Sequence, residues 1–247
     1  MKLPDYLVVG ECKCGTSFAY YHLIQHPQIL KTLGNGIDDY LGTKELRFFD
    51  RYYSKGLDWY KSRFPDTKEN EIVGEGASVY FGRMISLYRI KKDLPHVKII
   101  VLLRNPVDRL YSHFCHMQKW IPGWKNKYDS FENFINSARE EDNYIIEKGI
   151  YISALSRWMD MFKEQLAIIK SEEFFEQSQK TCDSIFEHLE IEPFKLKNFK
   201  KMNSSTTSHI KQETREMLLD FYKPYNKQLC DLLGCETIWE NQEENNV

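Results

Sequence analysis

The segment from Gly10 to Ser17 combines residue types that bind an anion. Two glycines permit a tight turn, while Lys13, Thr16 and Ser17 supply a positive charge and two hydroxyl donors. A helix that begins after such a turn presents backbone N–H groups to the anion. The spacing approaches that of the phosphate-binding loop G-x-x-x-x-G-K-[ST], but here the lysine lies inside the loop. The alternative interpretation is a plain turn with a solvated lysine.

A second candidate anion site follows the apolar stretch from Val97 to Leu103. Arg104 comes next, and Ser112 lies about two helical turns into the following helix. Arginine forms charge-assisted hydrogen bonds to phosphate, and serine adds a donor. A nucleoside triphosphatase would place an acidic Mg²⁺ ligand at such a strand end. The sequence therefore favours an anion bound without metal, and the alternative for Arg104 is an ion pair with Asp108.

The elements that must position these residues are short apolar strands alternating with helices. The predicted strands are 6–10, 71–75, 97–103 and 166–169, and the predicted helices are 16–26, 57–64, 81–94, 107–119, 131–139, 151–162, 182–189 and 211–233. This alternation predicts an α/β fold with a central parallel sheet flanked by helices. Ligands of such sheets bind beyond the carboxyl ends of the strands, which directs attention to residues 10–17, 75–78 and 104–112.

Composition and charge restrict the class of protein. The 247 residues suit one domain, predicted over 1–247 with a loose polar tail at 240–247. A net charge of −2 argues against a nucleic-acid-binding face, and no run of residues approaches the ~18 apolar residues of a membrane span. Six scattered cysteines, with no room for a signal peptide before the first strand, predict a cytoplasmic protein with reduced thiols. The oligomeric state is left open.

Five blocks in order together resemble the sulfotransferases that use 3′-phosphoadenosine 5′-phosphosulfate (PAPS), particularly the heparan-sulfate type and its bacterial small-molecule relatives. The blocks are 9–16, 44–60, 74–81, 104–112 and 149–158. The resemblance implies a P-loop-like sulfotransferase fold, PAPS as the donor, and 3′-phosphoadenosine 5′-phosphate (PAP) as the product, with no metal. It implies a small metabolite, such as a natural product, or a saccharide as the acceptor.

The resemblance also assigns donor-binding residues. They lie in the first loop, the Arg104 motif and the block that follows Gly149: Lys13, Cys14, Gly15, Thr16, Ser17, Arg104, Ser112 and Tyr151. The family's late Lys-Gly-Arg loop aligns with about 203–206, where Ser204 and Ser205 are expected to bind the donor through hydroxyls or backbone. A second departure is Gly76, where the family often has a lysine after its glutamate.

Three residues are candidates for catalysis. Lys13 is expected to neutralise the leaving phosphate oxygen as the sulfuryl group transfers. Glu45 is the preferred base for the acceptor proton, because the resemblance places the family's catalytic glutamate there. The alternative base is His116, one turn past Ser112, because histidine titrates near neutral pH. The competing interpretation of Glu45 is a surface carboxylate paired with Lys44 or Arg47.

Two other functions compete with sulfuryl transfer. A P-loop-like kinase or nucleotide hydrolase would bind ATP or GTP with Mg²⁺, and the displaced lysine and Arg104 argue against it. A non-catalytic protein that retains the fold would bind PAP without turnover.

Overall fold

The computed structural model describes residues 2–36, 44–140, 144–197 and 210–239. They form two compact units: Met1–Arg104 with Arg157–Ser204, and Asn105–Ser156 with Ser205–Val247. The single domain over 1–247 stays a prediction, and its expected tail at 240–247 lies outside the described residues.

The first unit contains a five-stranded parallel sheet in the order β2-β3-β1-β4-β5. The strands are β1 (Tyr6–Gly10), β2 (Ile29–Leu30), β3 (Ile72–Gly76), β4 (Lys98–Leu103) and β5 (Leu166–Lys170). Every residue of β4 after Lys98 is buried, as expected for an inner strand covered on both faces. The sheet confirms the predicted α/β fold. The sequence reading missed β2, which has only two residues.

The helices surround the sheet in the first unit and build most of the second unit. In chain order they are α1 (Thr16–Leu23), α2 (Gly56–Lys61), α3 (Met84–Asp93), α4 (Pro106–Trp120), α5 (Trp124–Lys127), α6 (Phe131–Glu140), α7 (Tyr144–Glu147), α8 (Ile152–Phe162), α9 (Ser171–Glu176), α10 (Ser178–Leu189) and α11 (Gln212–Leu233). A π-helical turn covers Phe48–Tyr52, and a 3₁₀ turn covers Ser78–Tyr80. Within the described ranges, none of these helices combines the length and the apolar character needed to cross a bilayer.

The second unit has its own apolar core. Side chains of α4, α6, α7 and α11 form it, among them Val107, Phe114, Phe134 and Tyr222. Its Gly149 is required by close packing, because a Cβ there would lie 2.6 Å from Tyr222 Cε1. The phenol of Tyr222 donates to Ile146 O (2.7 Å), which ties α11 to α7.

Candidate active site

The loop between β1 and α1 is a compact turn. Cys14 N donates to Glu11 O (3.0 Å), and the turn places Lys13 (φ 76°) and Gly15 (φ 86°) in the left-handed region. That conformation is unusual for a lysine, and such backbone strain often marks functional positions. A Cβ at Gly15 would lie 3.2 Å from the Phe175 ring, so the contact and the positive φ both favour glycine.

The start of α1 is suited to an anion. Gly15 is the N-cap residue, and no side chain of the described residues caps it. The first bond of the helix runs from Ala19 N to Gly15 O (2.9 Å). The N–H groups of Thr16 and Ser17 therefore have no carbonyl partner within the helix. Together with the positive end of the helix dipole, they can bind a negatively charged group.

Arg104 lies at the same loop. Its Nη1 donates to Lys13 O (3.4 Å), and its guanidinium lies over the Phe175 ring, 5.9 Å from the ring centre. β1 and β4 are neighbouring parallel strands, so the segments that leave their carboxyl ends meet at one edge of the sheet. The structure thus brings the Arg104 guanidinium to the backbone of Lys13, so these residues of the two predicted anion sites lie at one edge of the sheet.

Ser171 supports this junction and was missed by the sequence analysis. Its buried Oγ lies 2.6 Å from Cys14 O and 2.8 Å from Leu103 O, and its single proton is shared between them. Ser171 therefore ties the loop to the end of β4. The available signal was its place directly after β5, at the carboxyl edge of the sheet.

Glu45 lies beyond the carboxyl end of β3, and β3 is a neighbour of β1 in the sheet. Its Oε1 accepts from Lys44 Nζ (2.6 Å) and from Ser78 Oγ (3.3 Å). Lys44 Nζ also donates to Gly76 O (3.0 Å), so an ammonium group lies against the residue that replaces the family's lysine. The competing interpretation of Glu45 is half right: its pairing with Lys44 is confirmed, but the surface position is wrong because both members of the pair are buried.

Arg47 pairs with Asp50 and not with Glu45, the partner considered in the sequence analysis. It forms a bidentate pair with Asp50, and Nε lies 2.9 Å from Oδ1. The hydrogen bonds to the Asp50 carboxylate raise the pKa of Arg47 above its ordinary value. Arg47 therefore serves as the partner of Asp50, and Glu45 is paired with Lys44 instead.

Three further predicted site residues, Ser112, His116 and Tyr151, belong to the second unit. Ser112 is buried on α4, and His116 is half-buried on the same helix, with its ring 6.3 Å from that of Trp120. Tyr151 is buried, and its ring lies 5.9 Å from that of Trp239. Ser204 and Ser205 lie outside the described residues.

The charged neighbours of Ser112 have structural partners. Asp108 forms an ion pair with Arg215 (2.7 Å). Its carboxylate therefore has a cationic partner other than Arg104, the partner considered above. Arg109 is fully buried and donates to Ile145 O (2.7 Å). Both residues connect α4 to other helices of the second unit.

Comparison with known proteins identifies the family. The family model described as "Sulfotransferase domain" matches residues 3–225. The membrane-associated sulfotransferase kil1 of Dictyostelium discoideum shares 23% identity with this chain over an alignment that covers 97% of this chain and 67% of that protein. The human bifunctional heparan sulfate N-deacetylase/N-sulfotransferase 2 shares 26% identity over an alignment that covers 94% of this chain. This chain spans only 30% of the length of that protein.

Solved structures show the same fold. A sulfotransferase from Alicyclobacillus acidocaldarius superposes with a TM-score of 0.71 at 24% identity, covering 96% of this chain and 98% of its own. Mouse sulfotransferase SULT7A1, solved with PAP, has a TM-score of 0.59 at 14% identity and covers 94% of this chain and 87% of its own. The chain is a P-loop-like α/β transferase. It belongs to the sulfotransferase family, and sulfuryl transfer is its reaction class.

Proposed function

We propose that the protein transfers a sulfuryl group from PAPS to a hydroxyl or amine of a small metabolite or saccharide and releases PAP. The observation that carries the proposal is the hydrogen bond between Arg104 and the Lys13 carbonyl, which joins the two segments predicted to bind anions at one sheet edge. A doubly phosphorylated adenosine has two anionic ends and requires two such segments. The PAP bound to the mouse neighbour supports this class of ligand.

The first loop is the proposed site for the 5′-phosphosulfate. Lys13 and the N–H groups of Gly15, Thr16 and Ser17 would surround it, with Cys14 shaping the turn. Arg104 would bind the 3′-phosphate with its charged fork. Four further residues stay sequence-based proposals for donor binding: Ser112, Tyr151, Ser204 and Ser205.

The transfer is proposed as an in-line displacement. The acceptor oxygen or nitrogen forms a bond to sulfur while the bond from sulfur to the 5′-phosphate oxygen breaks, and that oxygen keeps the electron pair. Lys13 stabilises the charge that develops there. Glu45 takes the acceptor proton, with Lys44 and Ser78 holding its carboxylate, and His116 is the alternative base.

Substitutions test these roles. Turnover of PAPS is followed as sulfate incorporated into a mixture of N-deacetylated heparosan oligosaccharides and metabolite extract. We expect Lys13→Ala to lower turnover by about 10²–10³ and Glu45→Gln by about 10²–10⁴. The exposed Lys68→Ala serves as the control and should match the wild type. Normal turnover in Glu45→Gln together with a loss in His116→Ala would show that the base is His116.

Ligand binding separates the competing functions. PAP at ~100 times its dissociation constant should stabilise the protein by about 2.7 kcal/mol, which a thermal-shift measurement detects. A kinase or hydrolase would respond to ATP with Mg²⁺ and not to PAP. A non-catalytic protein would respond to PAP but transfer no sulfate to any acceptor. Products that gain a sulfate mass in the metabolite extract identify the acceptor and distinguish hydroxyl from amine.

A cytoplasmic location is part of the proposal. All six cysteines lie in the described part of the chain, and none of them is in a disulfide, as expected in a reducing compartment. The Dictyostelium relative is described as membrane-associated. Fractionation of cells that express this chain tests the location, and recovery with the membranes would contradict it.

A further inference from the structure

A buried carboxyl group lies beneath the segment that carries Glu45. Glu75, at the carboxyl end of β3, is fully inaccessible to solvent. Its Oε1 accepts hydrogen bonds from Leu46 N (2.7 Å), Arg47 N (3.0 Å) and Tyr80 Oη (2.9 Å). Its Oε2 accepts from Tyr60 Oη (2.7 Å). An isolated buried carboxylate is strongly unfavourable, and four donors compensate for lost hydration.

Hydrogen bonds made by Glu75 and its neighbour Gly76 are placed on both sides of Glu45. Leu46 and Arg47 follow Glu45 directly, and on its other side Gly76 N donates to Lys44 O (3.0 Å). The Tyr80 hydroxyl also accepts from Phe49 N (3.3 Å), one turn further along. The end of β3 therefore holds the backbone before and after Glu45.

The backbone at Arg47 depends on this support. Its φ of 59° is left-handed, a conformation that a non-glycine residue adopts at a cost. The hydrogen bond from Arg47 N to Glu75 Oε1 holds the chain there. Without it, the segment can relax to more favourable angles, and the direction of the Glu45 side chain would change with it.

We propose that Glu75 is a positioning residue for sulfuryl transfer, whose carboxylate fixes the backbone of Leu46 and Arg47 and thereby the carboxylate of Glu45. The inference rests on the proposed function, in which Glu45 takes the acceptor proton. Glu75 is buried behind that backbone and acts through Glu45, not on the acceptor. Burial raises the pKa of Glu75 to about 7 against the lowering effect of its four hydrogen bonds.

A double-mutant cycle tests this inference. Glu75→Ala and Glu75→Gln are each made in the wild type and in Glu45→Gln, and the initial rate of PAP release is measured with the acceptor mixture named above. We expect Glu75→Ala to lower the rate at least tenfold in the wild type and less than twofold in Glu45→Gln, because its effect passes through the Glu45 carboxylate. The KM for PAPS should change less than threefold.

The conservative variant should restore function. A glutamine at position 75 can accept from Leu46 N, Arg47 N and Tyr80 Oη through its carbonyl and donate to Tyr60 Oη through its amide. We therefore expect Glu75→Gln to keep the rate within about threefold of the wild type. Amide exchange at Leu46 and Arg47 should be faster in Glu75→Ala only.

Matched variants distinguish positioning from general stability. Ile185→Ala removes a buried side chain of α10 and should lower the rate by the same factor in both backgrounds. An equal loss from Glu75→Ala in both backgrounds would overturn the inference. If Glu75→Ala does not fold, Tyr80→Phe replaces it in the same cycle, with the same two outcomes. Near-normal turnover in Glu45→Gln alone would instead refute the proposed base.

Discussion

The loop at Lys13 and the segment around Glu45 lie at the ends of neighbouring strands, yet they are held in different ways. The Lys13 loop is organised mainly by its own residues: a turn from Cys14 to Glu11, a left-handed glycine and the start of a helix. The Glu45 segment is held by partners about 30 residues away, chiefly Glu75. An anion site can therefore be built from local backbone, whereas the candidate base depends on the rest of the unit.

The largest effect is expected at the Lys44–Glu45 pair. Lys44→Met leaves the buried Glu45 carboxylate without its cation, so we expect a loss of about 3–5 kcal/mol in the free energy of unfolding, measured in urea. The control is Lys61→Met, which removes a 3.9 Å surface pair with Asp58 and should change stability little. Equal losses from the two variants would contradict the buried character of the pair.

The second prediction concerns pH and Glu75. Burial raises its pKa from 4.5 to about 7, so between these pH values the folded protein holds a proton that the unfolded chain has released. This contribution to stability is complete below pH 4.5 and is lost as pH rises through 7, a change of about 3 kcal/mol. Denaturation of the wild type and Glu75→Gln across this range should give different slopes, and parallel curves would contradict the prediction.

The third prediction tests the local character of the Lys13 loop. Gly15→Ala should cost about 1–2 kcal/mol because of its positive φ, with a further loss from the contact with Phe175. Gly123→Ala is the matched control, since Gly123 has a similar φ of 78° and no atom within 4 Å of an added Cβ. Only Gly15→Ala should weaken PAP binding, measured by calorimetry. Unchanged PAP affinity would place the nucleotide elsewhere.

The smallest effect is expected at Ser171. Ser171→Ala removes the hydroxyl shared by Cys14 O and Leu103 O and should cost about 1 kcal/mol in unfolding experiments. Ser178→Ala is the control, because its Oγ also donates to a buried carbonyl, Phe174 O at 2.7 Å. PAP affinity should fall in Ser171→Ala alone. If both variants bind PAP like the wild type, Ser171 supports only the fold.

Much of the sheet was predictable from the order of residues. The apolar run before Arg104 predicted an inner strand, and β4 is one. The two-residue β2 was missed because a strand so short has no periodicity to detect. The start of α9 at Ser171 was missed for the same reason, since six residues make less than two turns.

The candidate site was likewise predictable from the sequence only in part. The sequence alone indicated Lys13 and Arg104, because glycine spacing and strand ends are properties of adjacent residues. Their meeting, and the hydrogen bonds that Ser78 gives to Glu45 and that Glu75 accepts from the backbone after it, were decided by the tertiary structure. A buried carboxylate gains its donors only when distant segments pack together and exclude water, and no local pattern in the chain encodes that arrangement.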